Sequence, residues 1–271
     1  MNSLEKKMVE ALVDLKEHHH ILGVKAEFEA EGTRMEEAIR LKEVVTRAGL
    51  DLTIKIGGCE ALKDMHDAKV IGVNSLVAPM IESSYAMKKY IQSTKLAFSE
   101  DERNDIDFWI NIETITGFNN IDSILELPEA EELQGIVLGR VDMAGSMGRS
   151  REDVNCEEIF NIANVLTAKA QKYNKKLAIG GGVFSSSLPF FNRLPKGSLS
   201  KFETRKIIFD ADALADKKVE EGILKAVGFE LMWLKNKRDF YGMIHNEDNQ
   251  RFLMLESCYK KLIEEIGGVY A

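Results

Sequence analysis

Seven short apolar runs alternate with segments of helical periodicity along this chain, and this alternation limits its fold more than any other feature. Strands that alternate with helices favour a parallel sheet covered by helices. A chain of 271 residues has an ordinary length for one α/β barrel, so we predict a single domain, 1–271, of this class. The predicted strands are 21–28, 52–56, 72–78, 108–112, 135–138, 176–179 and 201–210.

Helical segments are predicted on both sides of the barrel. Residues 1–20 form an N-terminal helix with one apolar face, residues 21–210 form the barrel strands and helices, and residues 211–271 form C-terminal helices. The last segment contains two predicted helices, 213–236 and 250–266. The apolar face of the second helix fits packing on its own barrel, and it also fits a contact in a homo-oligomer.

Two carboxylates stand where neighbouring predicted strands end. Glu113 follows strand 108–112, and Asp142 follows strand 135–138. The carboxyl ends of parallel strands share one rim, so we expect these side chains to lie side by side. Such a pair suits a hard divalent cation such as Mg²⁺, which takes oxygen ligands and keeps several waters. Each residue on its own could instead cap a helix or a turn.

Four motifs around these carboxylates carry a family resemblance. They are PMIES at 79–83, IET at 112–114, NID at 120–122 and GRVDMAGSMG at 139–148. In this order and spacing they resemble the HpcH/HpaI aldolase and citrate lyase beta-subunit family. The clear match runs from about residue 23 to residue 148.

The resemblance implies a (β/α)8 barrel of the TIM type. With seven predicted strands, either one strand is short and hidden or the barrel is modified. The N-terminus is the predicted place for a modification, because a helix stands where the family usually begins with a strand.

The resemblance also implies a metal site and a substrate site. The family positions matching Glu113 and Asp142 bind Mg²⁺ or Mn²⁺, which holds the carboxylate and keto oxygens of a 2-oxo acid or its enolate. The small residues Ala144, Gly145 and Ser146 would form the loop that holds the substrate carboxylate through backbone N–H groups. A tight turn would require small residues as well.

Two basic residues are further candidates. The family has an arginine that binds substrate oxygens, and Lys55 stands at the matching position. A lysine can hold an oxyanion without the bidentate fork of arginine, and a buried lysine can form a Schiff base. Arg140, just before Asp142, could bind a carboxylate or phosphate, or could be a salt-bridge partner.

The general base is open. The aldolase branch of the family carries a histidine in an Asp-x-Glu-His element, and this chain has EFEA at 27–30 instead. Glu27 and Glu29 point to the same side of a strand because side chains alternate. Either could bind the metal through a water or act as an acid or base, and both could instead be paired with lysines or arginines.

The strand predicted at 201–210 is unusually polar at Glu203, Thr204, Arg205 and Lys206. Substrate contacts near a strand end would explain this, and so would a structural ion pair or an edge strand.

Composition limits the partners and the compartment. A net charge of −8 and the lack of a basic patch exclude nucleic acid as an expected partner. No apolar run is long enough to span a membrane. The odd, widely spaced cysteines Cys59, Cys156 and Cys258 suit reduced thiols in a cytoplasm.

The leading hypothesis from the sequence is a metal-dependent carbon–carbon lyase or aldolase acting through a pyruvate-like enolate. Lys55, Glu27 and Glu29 are its candidate catalytic residues. The alternatives are a CoA-ester lyase of the citrate lyase type and a non-catalytic barrel that binds a ligand or a partner protein.

Overall fold

Eight strands close into a barrel in sequence order in the computed structural model of this chain, which describes residues 1–269. From β1 to β7, each strand pairs in parallel with the next one along the chain. The predicted barrel is therefore confirmed. The strands are β1 Ile21–Glu27, β2 Asp51–Lys55, β3 Ser75–Ala78, β4 Asp107–Ile112, β5 Gly135–Gly139, β6 Lys176–Gly180, β7 Lys201–Glu203 and β8 Ile207–Asp210.

The eighth strand was hidden inside the segment that the sequence pattern predicted as one strand, 201–210. A turn at 204–206 separates β7 from β8, and β8 pairs antiparallel with both β7 and β1. Thr204 closes the turn, since its Oγ1 accepts a hydrogen bond from the Ile207 N–H at 3.0 Å. The departure from an all-parallel barrel thus lies in β8.

Helices surround this barrel and follow most of its strands. The helix α1 precedes β1, as predicted, and its first turn is capped by the Asn2 side chain. The helices are α1 Ser3–His18, α2 Met35–Arg47, α3 Leu62–Ile71, α4 Ser84–Ala97, α5 Glu100–Asn104, α6 Ile115–Asn119, α7 Ile121–Leu125, α8 Arg140–Ser146, α9 Glu157–Lys172, α10 Leu188–Asn192 and α11 Val219–Glu265. Short 3-10 turns occur at Pro128–Glu132, Arg151–Asn155, Ser185–Ser187 and Ala211–Ala215.

The two helices predicted after the barrel are one continuous helix, α11. Gly222, Gly228 and Gly242 do not interrupt it, because a glycine inside a helix costs only about 1 kcal/mol relative to alanine. No proline occurs between residues 219 and 265 to end it.

The chain divides into two compact units, Met1–Glu230 and a second that begins at Leu231. The second unit consists of the later part of α11 and the short segment that follows it. Large apolar side chains recur at helical spacing along this part and are exposed, among them Phe252, Leu255, Tyr259 and Leu262. Within residues 1–269, no helix has both the length and the apolar character needed to cross a membrane.

The barrel interior is unusually polar. Outward-facing strand residues such as Val24, Leu52 and Ile110 are fully buried, as expected beneath covering helices. The inward face carries a small apolar cluster of Val77, Trp109, Val137 and Ala178 at mid-height. Polar inward residues lie above and below this cluster, and a cavity opens at each end of the barrel.

Candidate active site

A cavity of about 540 Å³ opens where the parallel strands end. Residues from the ends of β1, β2, β4, β5, β6 and β7 line it, together with residues from the β7–β8 turn and from α11. Barrels of this architecture carry their reactive groups at this face, because the strand ends converge there. Of the candidate residues from the sequence, the cavity brings together Glu27, Glu29, Lys55, Glu113 and Asp142.

Glu113 lies immediately after β4, and its carboxylate is held from several sides. Its Oε1 accepts a hydrogen bond from the Met80 N–H at 3.0 Å. Its Oε2 accepts one from Asn111 Nδ2 at 2.7 Å and lies 3.4 Å from Lys55 Nζ. Burial raises the pKa of the Glu113 carboxyl, with a further contribution from the negative charge of Asp142; Lys55 and Asn111 oppose this.

Asp142 occupies the first turn of α8, which begins directly after β5. Its side chain is exposed and borders the cavity, whereas Glu113 is buried. A carboxylate in the first turn of a helix is stabilised by the free backbone N–H groups there. The predicted pair of neighbouring carboxylates thus combines one fixed, buried group with one open to solvent.

Lys55, the last residue of β2, lies between two carboxylates of the cavity. Its Nζ is 3.2 Å from Glu29 Oε2 and 3.4 Å from Glu113 Oε2. Burial alone would lower the pKa of Lys55, but the negative charges of Glu113, Glu27 and Glu29 outweigh it and raise this pKa. Lys55 is therefore an ammonium ion at neutral pH, a state that can donate hydrogen bonds and cannot attack a carbonyl carbon.

Glu27 and Glu29 have different environments, although both border the cavity. Glu27 is buried, and its carboxylate lies 3.2 Å from Lys25 Nζ and 3.7 Å from Arg205. Burial raises the pKa of Glu27, and the charges of Lys25, Arg205 and Lys55 lower it by more, so this carboxyl stays ionised. The Glu29 side chain is 32% exposed and pairs with Lys55 alone among these cations. Glu29 is therefore the more accessible of the two.

Lys25 and Glu203 form a buried ion pair beneath the cavity, with Nζ and Oε2 2.8 Å apart. Burial would raise the pKa of Glu203, but the charges of Lys25 and Lys201 lower it on balance. Of the three alternatives for the polar segment 201–210, a structural ion pair therefore accounts for Glu203. The turn residues Arg205 and Lys206 pair with Glu31.

Two glycines form the floor between Glu113 and Glu203. Gly139 and Gly180 are register partners on β5 and β6, whose backbones run about 4.8 Å apart. A Cβ at Gly139 would lie 2.5 Å from Glu113 Oε2, and one at Gly180 would lie 3.4 Å from Glu203 Oε2. Glycine at 139 is thus required for Glu113 to take its place.

A divalent cation fits the donor chemistry of this cavity. Six carboxylates and four cationic side chains line it, so it carries a surplus of two negative charges. Asn111 Oδ1 is buried there and has no hydrogen-bond partner among residues 1–269. Among residues 1–269, no three His, Cys, Asp or Glu side chains are placed so that they alone could hold a metal ion. Mg²⁺ is usually bound by one or two carboxylates, with waters and substrate oxygens as its other ligands. Glu113 and Asp142 could supply these two carboxylates to Mg²⁺ or Mn²⁺.

The small residues predicted to hold a substrate carboxylate do not form a loop. Ala144, Gly145 and Ser146 lie inside α8, and none of them borders the cavity. Their N–H groups face earlier carbonyls of the helix. The Ser146 hydroxyl accepts a hydrogen bond from the Ile115 N–H at 3.0 Å and donates one to the Met143 carbonyl. The predicted loop is therefore a helix in this structure, and a contact of these residues with a substrate carboxylate stays a prediction.

Arg140 is not among the residues that line the cavity, and its contact with a substrate anion stays a prediction. Its guanidinium is fully buried and donates hydrogen bonds to the carbonyls of Gly180 and Gly181 and to Asn155 Oδ1. Burial lowers its pKa to about 9. Arg140 therefore fixes the glycine segment after β6, and within residues 1–269 its hydrogen bonds go to carbonyl, amide and hydroxyl oxygens and not to a carboxylate.

Several residues of the cavity were not singled out from the sequence. Lys25 and Asn111 were detectable, since each is a polar residue at an inward position two places before Glu27 or Glu113 in an apolar strand. Arg151 and Glu230 lie in a 3-10 turn and in α11, and no local pattern marks either of them.

The sequence itself identifies the family. A family model described as HpcH/HpaI aldolase/citrate lyase matches residues 34–179, which is more than half of the 271 residues. The chain therefore belongs to the HpcH/HpaI aldolase/citrate lyase family. A search of curated protein sequences finds no match.

Solved structures support the barrel fold. The HpcH/HpaI aldolase from Desulfitobacterium hafniense DCB-2 aligns with a TM-score of 0.58 and 11% identity, over 73% of this chain and 81% of that chain. Citrate synthase SbnG aligns with a TM-score of 0.59 and 14% identity, over 86% and 90%. A family protein from Burkholderia cenocepacia J2315 aligns with a TM-score of 0.58 and 12% identity, over 87% and 100%. At these identities the likeness establishes the fold alone.

Proposed function

We propose that this protein is a metal-dependent carbon–carbon lyase or aldolase that acts through the enolate of a 2-oxo acid such as pyruvate. One observation carries the proposal: Glu113 and Asp142, from neighbouring strand ends, share a cavity with the Lys55 ammonium. The family to which the chain belongs supports the reaction class. The metal would be Mg²⁺ or Mn²⁺, held by Glu113 and Asp142.

The charge of the cavity supports a metal together with an anionic substrate. A 2-oxo acid carries a negative charge, and the surplus of two carboxylates would repel it from the metal-free cavity. When bound, a divalent cation would supply Lewis-acid stabilisation of the charge that develops on the keto oxygen. Lys55 would donate a hydrogen bond to the same developing oxyanion.

The proton transfers require a group that is close to Lys55 and open to the cavity. Glu29 meets both conditions, since it lies 3.2 Å from Lys55 Nζ and is partly exposed. We assign it as the candidate general acid or base. Glu27 is paired with Lys25 and Arg205. Its role would be to keep these two cationic side chains in place on the β1 side of the cavity.

Proton NMR of pyruvate in D₂O tests this proposal directly. With protein and Mg²⁺ or Mn²⁺ we expect the methyl signal to decay as its protons exchange, and we expect chelation of the metal to stop the decay. Asp142→Asn should abolish the exchange, while the matched control Glu152→Gln, at an exposed acid outside the cavity, should leave it intact. A folded, metal-saturated wild type that gives no exchange would refute pyruvate as the substrate.

A metal titration separates binding from chemistry. Isothermal titration with Mn²⁺ should give one site in the wild type and at least a tenfold weaker one in Asp142→Asn. If Asp142→Asn binds Mn²⁺ as tightly as the wild type, the assignment of the metal to Glu113 and Asp142 is wrong.

A further inference from the structure

A second cavity, of about 360 Å³, opens at the opposite end of the barrel, where the parallel strands begin. Its volume is at the lower end of the range of about 300–1,000 Å³ that is usual for small-molecule sites. The apolar cluster at mid-height, which includes Trp109, separates it from the candidate active site. None of its residues has a part in the proposed reaction.

Lys201 and Trp109 line this second cavity, and the side-chain donor of each has no protein acceptor in the described part of the chain. Lys201 is 8% exposed, and its Nζ lies 3.6 Å from the ring centroid of Trp109. In the part of the chain that the structure describes, no carboxylate comes within ion-pair distance of Lys201 Nζ. The Trp109 side chain is 2% exposed, and its Nε1 has no hydrogen-bond acceptor among residues 1–269.

These two donors favour an anionic group in the cavity. An ammonium ion buried without a counter-ion loses several kcal/mol of hydration free energy, and a cation–π contact returns only about 2 kcal/mol. A carboxylate has the negative charge and the acceptor oxygens that the Lys201 ammonium lacks among the protein groups around it.

Carboxylates of the protein stand at the mouth of the same cavity. Asp51 and Asp107 are exposed, and neither forms an ion pair among the described residues. Asp107 continues an inward row with Ser75 and Thr53, which are its neighbours in register on β3 and β2. Burial lowers the pKa of Lys201, and the charges of Glu203 and Asp107 oppose this effect, so Asp107 is near enough to act on Lys201.

We propose that this cavity binds a free α-amino acid as a zwitterion. The carboxylate of the ligand contacts Lys201 Nζ beside the Trp109 ring, and its ammonium contacts Asp107 at the mouth. The buried Lys201 and the exposed Asp107 thus offer a partner to each charged end of the ligand. A polyanion such as phosphate matches Lys201 but is repelled by Asp51 and Asp107. This site does not depend on the proposed function.

A binding screen with the full-length protein tests the proposal. The probes are the twenty standard L-amino acids, with acetate, methylammonium and inorganic phosphate for comparison, each added without metal or pyruvate. We expect at least one amino acid to raise the melting temperature and to bind saturably by calorimetry. We expect acetate, methylammonium and phosphate to bind at least tenfold more weakly.

Matched variants locate the binding in this cavity. Asp107→Asn and Lys201→Met should each weaken the amino acid at least tenfold. The controls Asp105→Asn and Lys196→Met, at exposed positions outside the cavity, should not change it. If Lys201→Met does not fold, Asp107→Asn decides the question, because its side chain is exposed.

Three results would overturn the proposal. The first is that no amino acid binds. The second is that binding persists unchanged in Asp107→Asn, and the third is that acetate or phosphate binds as tightly as the best amino acid.

Discussion

Replacing Gly139 with alanine should disturb the candidate metal site by a displacement that can be calculated. The new Cβ would lie 2.5 Å from Glu113 Oε2 and 2.8 Å from Glu113 Cβ, whereas ordinary contacts begin at 3.4 Å. The Glu113 carboxylate must therefore retreat by about 0.9 Å, the difference between 3.4 and 2.5 Å. It cannot do so freely, because the side chain is buried.

This retreat would break the contacts that hold Glu113. Its hydrogen bonds from Asn111 Nδ2 and the Met80 N–H are 2.7 and 3.0 Å long, and both would exceed the usual limit of about 3.2 Å. Hydrogen bonds to charged groups contribute about 1.5–3 kcal/mol each, so we expect the free energy of unfolding to fall by about 2–4 kcal/mol. Metal ligands tolerate shifts of only about 0.2 Å, so the Kd for Mn²⁺ should rise at least tenfold.

Urea unfolding and calorimetric titration with Mn²⁺ measure the two effects separately. The matched control is Gly145→Ala in α8, where a Cβ would meet nothing within 4 Å. This control should bind Mn²⁺ as the wild type does. Its free energy of unfolding should be unchanged or higher by up to about 1 kcal/mol, because alanine favours a helix interior more than glycine does. A Gly139→Ala protein with unchanged stability and unchanged Mn²⁺ affinity would refute the described packing of Glu113 over Gly139.

Three further substitutions probe the charges around the barrel. Lys55→Met should lower kcat/KM for the proposed reaction at least a hundredfold while Lys55→Arg retains more activity, and equal activity of the two variants would contradict an electrostatic role. Glu203→Gln leaves Lys25 with a weaker partner and should cost about 3 kcal/mol at pH 7 by urea unfolding. Because the folded-state pKa of Glu203 is lowered from 4.5, this cost should shrink as the pH falls below about 4.5 and the carboxyl becomes protonated in both states; a constant difference from pH 7 to pH 3 would contradict it. Arg140→Met leaves the buried carbonyls of Gly180 and Gly181 without their hydrogen-bond donor. It should lower the free energy of unfolding, measured in urea, by about 3 kcal/mol, with little change in the Kd for Mn²⁺.

The sequence pattern was sufficient for the barrel because its signal is local and repeated. Each parallel strand from Ile21 to Gly180 is a short apolar run bounded by helices, and all six of these runs proved to be strands. The β7–β8 hairpin was missed because its turn residues Thr204, Arg205 and Lys206 continue a β-like stretch without Gly, Asn or Pro. The turn is closed by a side-chain hydroxyl instead, which the sequence pattern does not reveal.

The candidate site was partly predictable for a similar reason. Glu113 and Asp142 follow strand ends, so topology alone brings them to one cavity. The orientation of Arg140 was not predictable, because it depends on the carbonyls of a glycine segment about 40 residues later in the chain. The same holds for Lys25, whose partner Glu203 is separated from it by 178 residues.

The antiparallel eighth strand has a consequence for the order in which the chain can fold. β8 pairs with β7 across a three-residue turn, so this hairpin can form early and locally, at little cost in loop-closure entropy. Its other partner, β1, is more than 180 residues away in the sequence, so closing the barrel is the step of highest contact order. A nascent chain that has not yet reached residue 207 therefore exposes two unpaired strand edges, β1 and β7, and such edges promote aggregation. We therefore expect the risk of aggregation through β1 and β7 to fall when β8 has been synthesised, and not when the residues of the candidate active site have been synthesised.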